Sequence, residues 1–119
     1  MNVAILGASP KPEKYAHMAQ VKLLAHGHSV VGVNPALPDL GAVPVTKSVG
    51  ELPAGIDTLT VYVGSDRSSA LAEEILSYGF RRVVFNPGAE NPELAAKLRD
   101  RGVESVEGCT LVMLSSRQF

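Results

Sequence analysis

The sequence predicts a three-layer α/β fold: one open, doubly wound parallel sheet of about five strands, in the order 3-2-1-4-5, with helices on both faces. Three observations predict it. Short continuous apolar runs, the pattern of strands covered on both sides, recur along the chain. Segments bounded by helix-capping residues separate them, so strand-like and helix-like pieces alternate throughout. Parallel strands need crossover connections, and those crossovers are right-handed, which places helices on both faces of one sheet.

The elements follow in order. Residues 3–6 (Val-Ala-Ile-Leu) form the first strand, closed by Gly7. A helix runs from about Lys14 to His26: Pro10 and Pro12 keep its approach non-helical, and Gly27 supplies the residue past its end. Val30, Val31 and Val33 make a second strand that stops at Asn34-Pro35. Residues 48–51 have capping-box spacing and predict one short helical turn before Pro53. Residues 59–63, rich in Val, Thr and Tyr, are a third strand. Ser65 or Asp66 caps the next helix, which holds Leu71, Ile75 and Tyr78 and ends at Gly79. Residues 83–85 are a fourth strand ending at Asn86-Pro87-Gly88. Asn91 as N-cap, Pro92 at the first helical position, Glu93 near the positive dipole end and Gly102 past the end define a further helix, with Leu94 and Leu98 toward the sheet. Residues 103–106 are a fifth strand, and residues 108–114 have no assigned form.

Length and composition bound the function. With 119 residues the chain is read as a single domain, 1–119, burying roughly two-thirds of its unfolded surface and leaving ~6,200 Å² accessible. Composition that is 45% hydrophobic and 19% charged fits a globular domain and argues against disorder. Eleven Lys and Arg against twelve Asp and Glu give a formal charge of −1, so no global field draws nucleic acid or a membrane, although a small anion site remains compatible. The single cysteine, Cys109, has no partner for an internal disulfide and no companions for a zinc site, which suits a reducing compartment. No basic n-region and no run of ~20 apolar residues is present, so a cytoplasmic location is expected.

Open parallel sheets bind ligands beyond the carboxyl ends of their strands, so the chemistry is sought in the loops that follow them. After the first strand, Gly7-Ala8-Ser9-Pro10 offers a tight turn, accessible backbone and a hydroxyl; the helix N-terminus beyond presents unpaired N–H groups, and Lys11 or Lys14 can neutralise a phosphate. An ordinary small-residue loop with solvated lysines explains the same residues equally well. Neither G-x-G-x-x-G nor G-x-x-x-x-G-K-[ST] occurs, and the second strand ends in neutral Asn34 where a typical NAD site places a carboxylate. NAD is disfavoured. Asn34-Pro35, Gly64-Ser65-Asp66 and Asn86-Pro87-Gly88-Ala89 each have a plain turn explanation, yet all open onto the same rim as Gly7. Together they make a crevice of backbone N–H groups and short polar side chains suited to phosphate and ribose.

Gly7-Ala8-Ser9, Lys14, Val33-Asn34-Pro35 and Asn86-Pro87-Gly88-Ala89-Glu90-Asn91, with Gly102 and Cys109 beyond, resemble the small stand-alone CoA-binding domain proteins. These are similar in fold to the N-terminal CoA-binding domain of the succinyl-CoA synthetase α-subunit. The resemblance spans nearly the whole chain and implies a Rossmann-like domain binding CoA, acyl-CoA or a related adenine nucleotide. By position it implies that Gly7, Ala8 and Ser9 cradle the pyrophosphate with Pro10 and Lys14 beside it, that Asn34 and Pro35 border the adenosine, and that Asn86, Pro87 and Gly88 lie on the pantetheine side. Gly64 stands where relatives carry a bulkier third-strand end. The phosphorylated histidine and the ATP-handling partner of the synthetase lie outside such a domain, so the resemblance supports binding and not ligation.

Other candidates carry less. His26 and His28 flank Gly27 at a helix end, where the dipole stabilises cations by up to ~1 kcal/mol, and H-x-H lacks a third metal ligand. His17, near the crevice, either bonds a ligand or sits on the helix surface, and the surface is favoured. Cys109 reads as a small hydrophobe, with thiol chemistry a minor alternative. Asp66 and Glu73-Glu74 belong to a helix start and its solvated face. Residues 110–114 are either core or a surface for a second copy, and a homodimer is expected. The sequence therefore reads as a non-catalytic CoA or nucleotide binding module without a metal. The alternatives are a small nicotinamide-dependent oxidoreductase and a partner-binding scaffold with a vestigial pocket.

Overall fold

A computed structural model describes residues 1–37, 39–41 and 43–119. Six parallel strands form one sheet: β1 (Asn2–Leu6), β2 (Ser29–Val33), β3 (Val45–Thr46), β4 (Thr58–Val61), β5 (Arg82–Phe85) and β6 (Glu104–Glu107). Their order is β3-β2-β1-β4-β5-β6. Numbered along the chain the order still begins 3-2-1-4-5 and gains one strand, but the third place belongs to a strand not expected from sequence, so residues 59–63 lie beside β1 and not beyond β2. The addition is Val45–Thr46, two residues in a stretch too short and irregular to announce itself. It takes the place beyond β2, pairing Gly32 with Val45 and Val33 with Thr46. The segment read as the third strand is consequently β4, beside β1, with Leu59 opposite Ala4 and Val61 opposite Leu6.

Helices α1 (Tyr15–Ala25), α2 (Ser65–Ala70), α3 (Ala72–Tyr78), α4 (Pro92–Asp100) and α5 (Thr110–Ser115) complete the layers. The two-sided burial expected of the strands is visible in β1, where Ala4 and Leu6 join one apolar cluster and Val3 and Ile5 the other. The first cluster contains Ile75 of α3 and Leu94 and Leu98 of α4, and the second contains Ala16 and Leu23 of α1 and Leu114 of α5. The accessible surface is 6168 Å², in line with the value expected from chain length.

Several boundaries differ in instructive ways. The helix expected to run unbroken from Ser65 to Gly79 is two short ones, meeting at Leu71 with φ −101° and ψ 8°. Gly64, rather than Ser65 or Asp66, is the N-cap of α2, with no side-chain cap bond. Serine-rich α2 has little helical propensity of its own. It is held from outside by Asn91, whose Nδ2 donates to Ser68 Oγ at 2.7 Å and Ser69 Oγ at 2.9 Å. The Asn91 Oδ1 at the same time accepts from the Leu94 N–H at 3.1 Å as the expected cap of α4. The turn at Val49–Glu51 forms, but without the capping-box bonds: Ser48 makes no side-chain cap, and Glu51 accepts from the Lys47 N–H instead. The unassigned C-terminal stretch contains α5; Thr110 and Leu114 are buried in it and Val112 is exposed. His28 lies past the helix end, its Nδ1 3.0 Å from the N-terminal amine. Burial first, then the charges of that amine, His26 and Arg82, lower its pKa, so the cationic dipole-stabilised role does not hold for it.

Asn91 therefore joins two helices through one buried amide. Asn91→Ala is expected to lower unfolding free energy by about 2 kcal/mol, combining a lost N-cap with lost buried hydrogen bonds. Urea unfolding measures it, and a loss under about 0.5 kcal/mol would deny Asn91 this joining role.

Candidate functional site

Because all strands are parallel, their carboxyl ends share one edge, and the loops after β1, β2, β4 and β5 meet there. A crevice of about 350 Å³ lies at that edge, lined by Gly7, Ala8, Ser9, Lys14, Asn34, Tyr62, Arg67 and Pro87 among others. It is built around the backbone turn at Gly7. With φ +90° this residue favours glycine, and a Cβ there would lie 2.9 Å from Val63 Cγ1. The turn runs close against the exit of β4 while its N–H donates to the Val33 carbonyl at 3.0 Å. Ala8 packs over Gly32 of β2, where a Cβ would come within 2.9 Å of the Ala8 methyl.

Two side chains pin the same loop. Asn34 Nδ2 donates to the Ala8 carbonyl at 2.9 Å, and its Oδ1 accepts from the Ala36 N–H at 2.8 Å. His17 Nδ1 lies 3.1 Å from the Ser9 carbonyl, so the half-buried ring holds the loop and is not on the free surface favoured from sequence. Ser9 Oγ accepts from the Lys11 N–H at 3.2 Å, which leaves its proton available to a ligand. Beyond the loop, α1 starts at Lys14 with no side-chain cap and no acidic residue in its first turn. Contrast α4, where the Asn91 side chain accepts from the Leu94 N–H.

The crevice continues into a second, mostly apolar pocket of about 230 Å³, lined by Tyr15, Tyr62, Asn86, Pro87, Cys109 and Leu111. Its floor is a buried polar cluster. Asn86 Nδ2 donates to Thr60 Oγ1 at 2.7 Å and the Val61 carbonyl at 2.9 Å, and its Oδ1 accepts from the Thr110 N–H at 2.9 Å. Thr60 and Thr110 hydroxyls lie 2.7 Å apart. The Tyr62 hydroxyl is near this cluster and is buried, yet makes no hydrogen bond of standard geometry. Burial pushes its pKa up to about 12, against the opposing pull of the Thr110 and Thr60 hydroxyls.

Of the residues singled out in sequence, Gly7, Ala8, Ser9, Lys14, Asn34 and Pro87 line the crevice and Asn86 the adjoining pocket. Pro10, Pro35, Gly64 and Gly88 are exposed beside it without lining either cavity. Asn34 and Asn86 act on the protein itself, their amides bonded to loop and floor. Sequence reading missed Arg67, Tyr15 and Tyr62. Arg67 left one signal, a cation at the third position of a helix, where the dipole opposes it. Tyr62 was hidden inside a β-like run. Among the described residues no group of three or more His, Cys, Asp or Glu is placed to hold a metal ion, and no helix is long and apolar enough to cross a membrane.

Comparison with known proteins decides the relationship. The sequence model of the CoA binding domain family matches residues 1–115. The chain belongs to that family. It is similar to the uncharacterized protein YneT of Bacillus subtilis (strain 168), 26% identical over 100 residues, covering 84% of this chain and 74% of that one. A crystal structure of an uncharacterized protein superposes with a TM-score of 0.93 at 37% identity, over 99% of this chain and 97% of the other. The fold also occurs in the dinucleotide-forming acetyl-coenzyme A synthetase 1 of Ca. Korarchaeum cryptofilum, with a TM-score of 0.74 at 22% identity over 90% of this chain and 25% of that one.

The Tyr62 environment has a spectroscopic signature. Ultraviolet titration of the folded protein is expected to show a tyrosinate step near pH 12, and Tyr62→Phe is expected to remove it. Retention of that step in the variant would place the buried phenol elsewhere.

Proposed function

We propose that this protein binds coenzyme A at the rim of the sheet, as a binding module whose affinity comes from oriented main-chain donors and two cations. The observation that carries the reading is the uncapped start of α1. Its first N–H groups have no side-chain acceptor, Lys14 stands at the N-cap, and the turn at Gly7–Ser9 leads directly to it. A helix end of that kind suits an anion, and a side-chain carboxylate that would compete for it is lacking in the first turn.

In this reading the pyrophosphate lies along Gly7, Ala8 and Ser9, with the Ser9 hydroxyl donating to it. Lys14 and Arg67 contribute charge from the crevice lining, each exposed and therefore salt-sensitive. The adenosine runs toward Asn34 and Pro35, where β2 ends, and the pantetheine arm toward Pro87. Membership of the CoA binding domain family supports the ligand class. The loop geometry supports the placement. Asn34 and His17 contribute indirectly, by holding the carbonyls of Ala8 and Ser9 away from the anion so that N–H groups face it.

Calorimetric titration with CoA tests the reading. Lys14→Ala and Arg67→Ala are each expected to weaken binding roughly three- to tenfold at low salt, a loss of about 1 kcal/mol, and to flatten its dependence on ionic strength. Gly7→Val is expected to abolish binding while circular dichroism stays native-like, at a stability cost of about 1–3 kcal/mol from the strained turn. If the Lys14/Arg67 double variant binds CoA with unchanged affinity and salt dependence, the anion lies elsewhere.

A further inference from the structure

Among the described residues six large apolar side chains are exposed, and five of them lie on α1 or its neighbour α5: Tyr15, Met18, Val21, Leu24 and Val112. The strip originates in the sequence of α1, which carries apolar residues all the way round. Its inner face, with Ala16, Ala19 and Leu23, is buried. A helix apolar on every side is ordinarily covered on every side. Here the outward half is exposed, and none of the helix's own polar groups is free to solvate it. Gln20 is buried, Lys22 Nζ donates to the Leu111 carbonyl at 3.1 Å and to Ser115 Oγ, and His17 is engaged with the Ser9 carbonyl. The outward face of α4 shows the ordinary alternative, with Glu93, Lys97, Arg99 and Asp100 all exposed.

We propose that this strip is the interface of a twofold homodimer, in which α1 packs antiparallel against α1 of a second copy. The proposal does not rest on the reading of the crevice as a CoA site. Its first support is area. With exposures from 38% at Met18 to 68% at Tyr15, the five side chains present roughly 500 Å². Two copies bring together about 1,000 Å² of apolar surface, which at the ~65% apolar share of homodimer interfaces corresponds to about 1,500 Å² in all. That is the size of a standard stable interface.

The second support is complementarity. A strip without free charges meets a copy of itself without setting like charges together, as an isologous contact requires. Antiparallel packing adds an attraction, because the positive start of each helix lies beside the negative end of the other. Met18, Val21 and Ala25 succeed one another at three- and four-residue spacing down the middle of the exposed face. A dyad level with residues 19 and 20 therefore sets Met18 of one copy beside Val21 of the partner subunit, with Tyr15 over Ala25 of the partner subunit at each end. The interface belongs mainly to α1. Residues 110–114, where the sequence raised a second copy, contribute exposed Val112 and half-buried Leu111 at its margin.

Sedimentation equilibrium of the full chain at roughly 5–100 µM tests this, with a dimer of Kd below about 10 µM expected. Met18→Lys and Val21→Glu, both at exposed positions, are each expected to raise Kd about a hundredfold, because each brings an unpaired charge into the interface, while circular dichroism stays native-like. Mixing the two variants is expected to restore association, since the new ammonium then meets the new carboxylate across the dyad. Wild-type protein that remains monomeric at about 100 µM overturns the proposal and leaves the strip to a different partner. A dimer that survives both substitutions places the contact elsewhere than α1. Variants that separate but fail to pair when mixed overturn the antiparallel arrangement.

Discussion

The close approach of the backbone at Gly7 to the exit of β4 is the constraint on which the site depends. No side chain fits between Gly7 and Val63, and a left-handed φ is required at the same residue. The chain leaving the central strand therefore turns immediately, low over the sheet edge, and its carbonyls and N–H groups are sorted by what surrounds them. Carbonyls of Ala8 and Ser9 are taken by Asn34 and His17. The start of α1 has no side-chain cap bond. Gly32 extends the constraint into β2, since a side chain there would collide with Ala8 and Leu40 and lift the same turn.

The two asparagines near the rim and the one at the start of α4 illustrate a common use of an amide. Each donates and accepts in fixed directions, so one side chain ties two segments together. Asn34 joins the β1 loop to its own turn, Asn86 joins β4 to α5, and Asn91 caps α4 while holding α2. From sequence, the first two were natural candidates for ligand contact, being polar and next to prolines at strand ends. Burial and saturation of its hydrogen bonds give Asn86 a structural role.

Charge is used sparingly here. Among the described residues the single ion pair is Lys97 with Glu93, both exposed, on α4 far from the rim in function. Lys14 and Arg67 face the crevice, each near a helix start, where the backbone dipole opposes a cation and a bound anion would offset that opposition.

Much of this was legible in the residues themselves. Continuous apolar runs covered on both faces, Asn91-Pro92 opening α4, Gly27, Gly79 and Gly102 closing helices at positive φ, and the small residues after β1 are local features, and local physics decides them. The parallel sheet followed from their alternation. What sequence could not reach were quantities fixed by distant segments: the two-residue β3, which exists only because β2 offers an edge; the break at Leu71, with α2 held by Asn91 twenty-odd residues away; and the partition of polar side chains between those bonded inward and those left open to the crevice. Tyr15 enters the site from α1, Arg67 from α2 and Tyr62 from the residue just past β4. Their meeting is a property of the packed fold, since no spacing along the chain encodes a cavity whose walls come together only when the sheet edge is assembled.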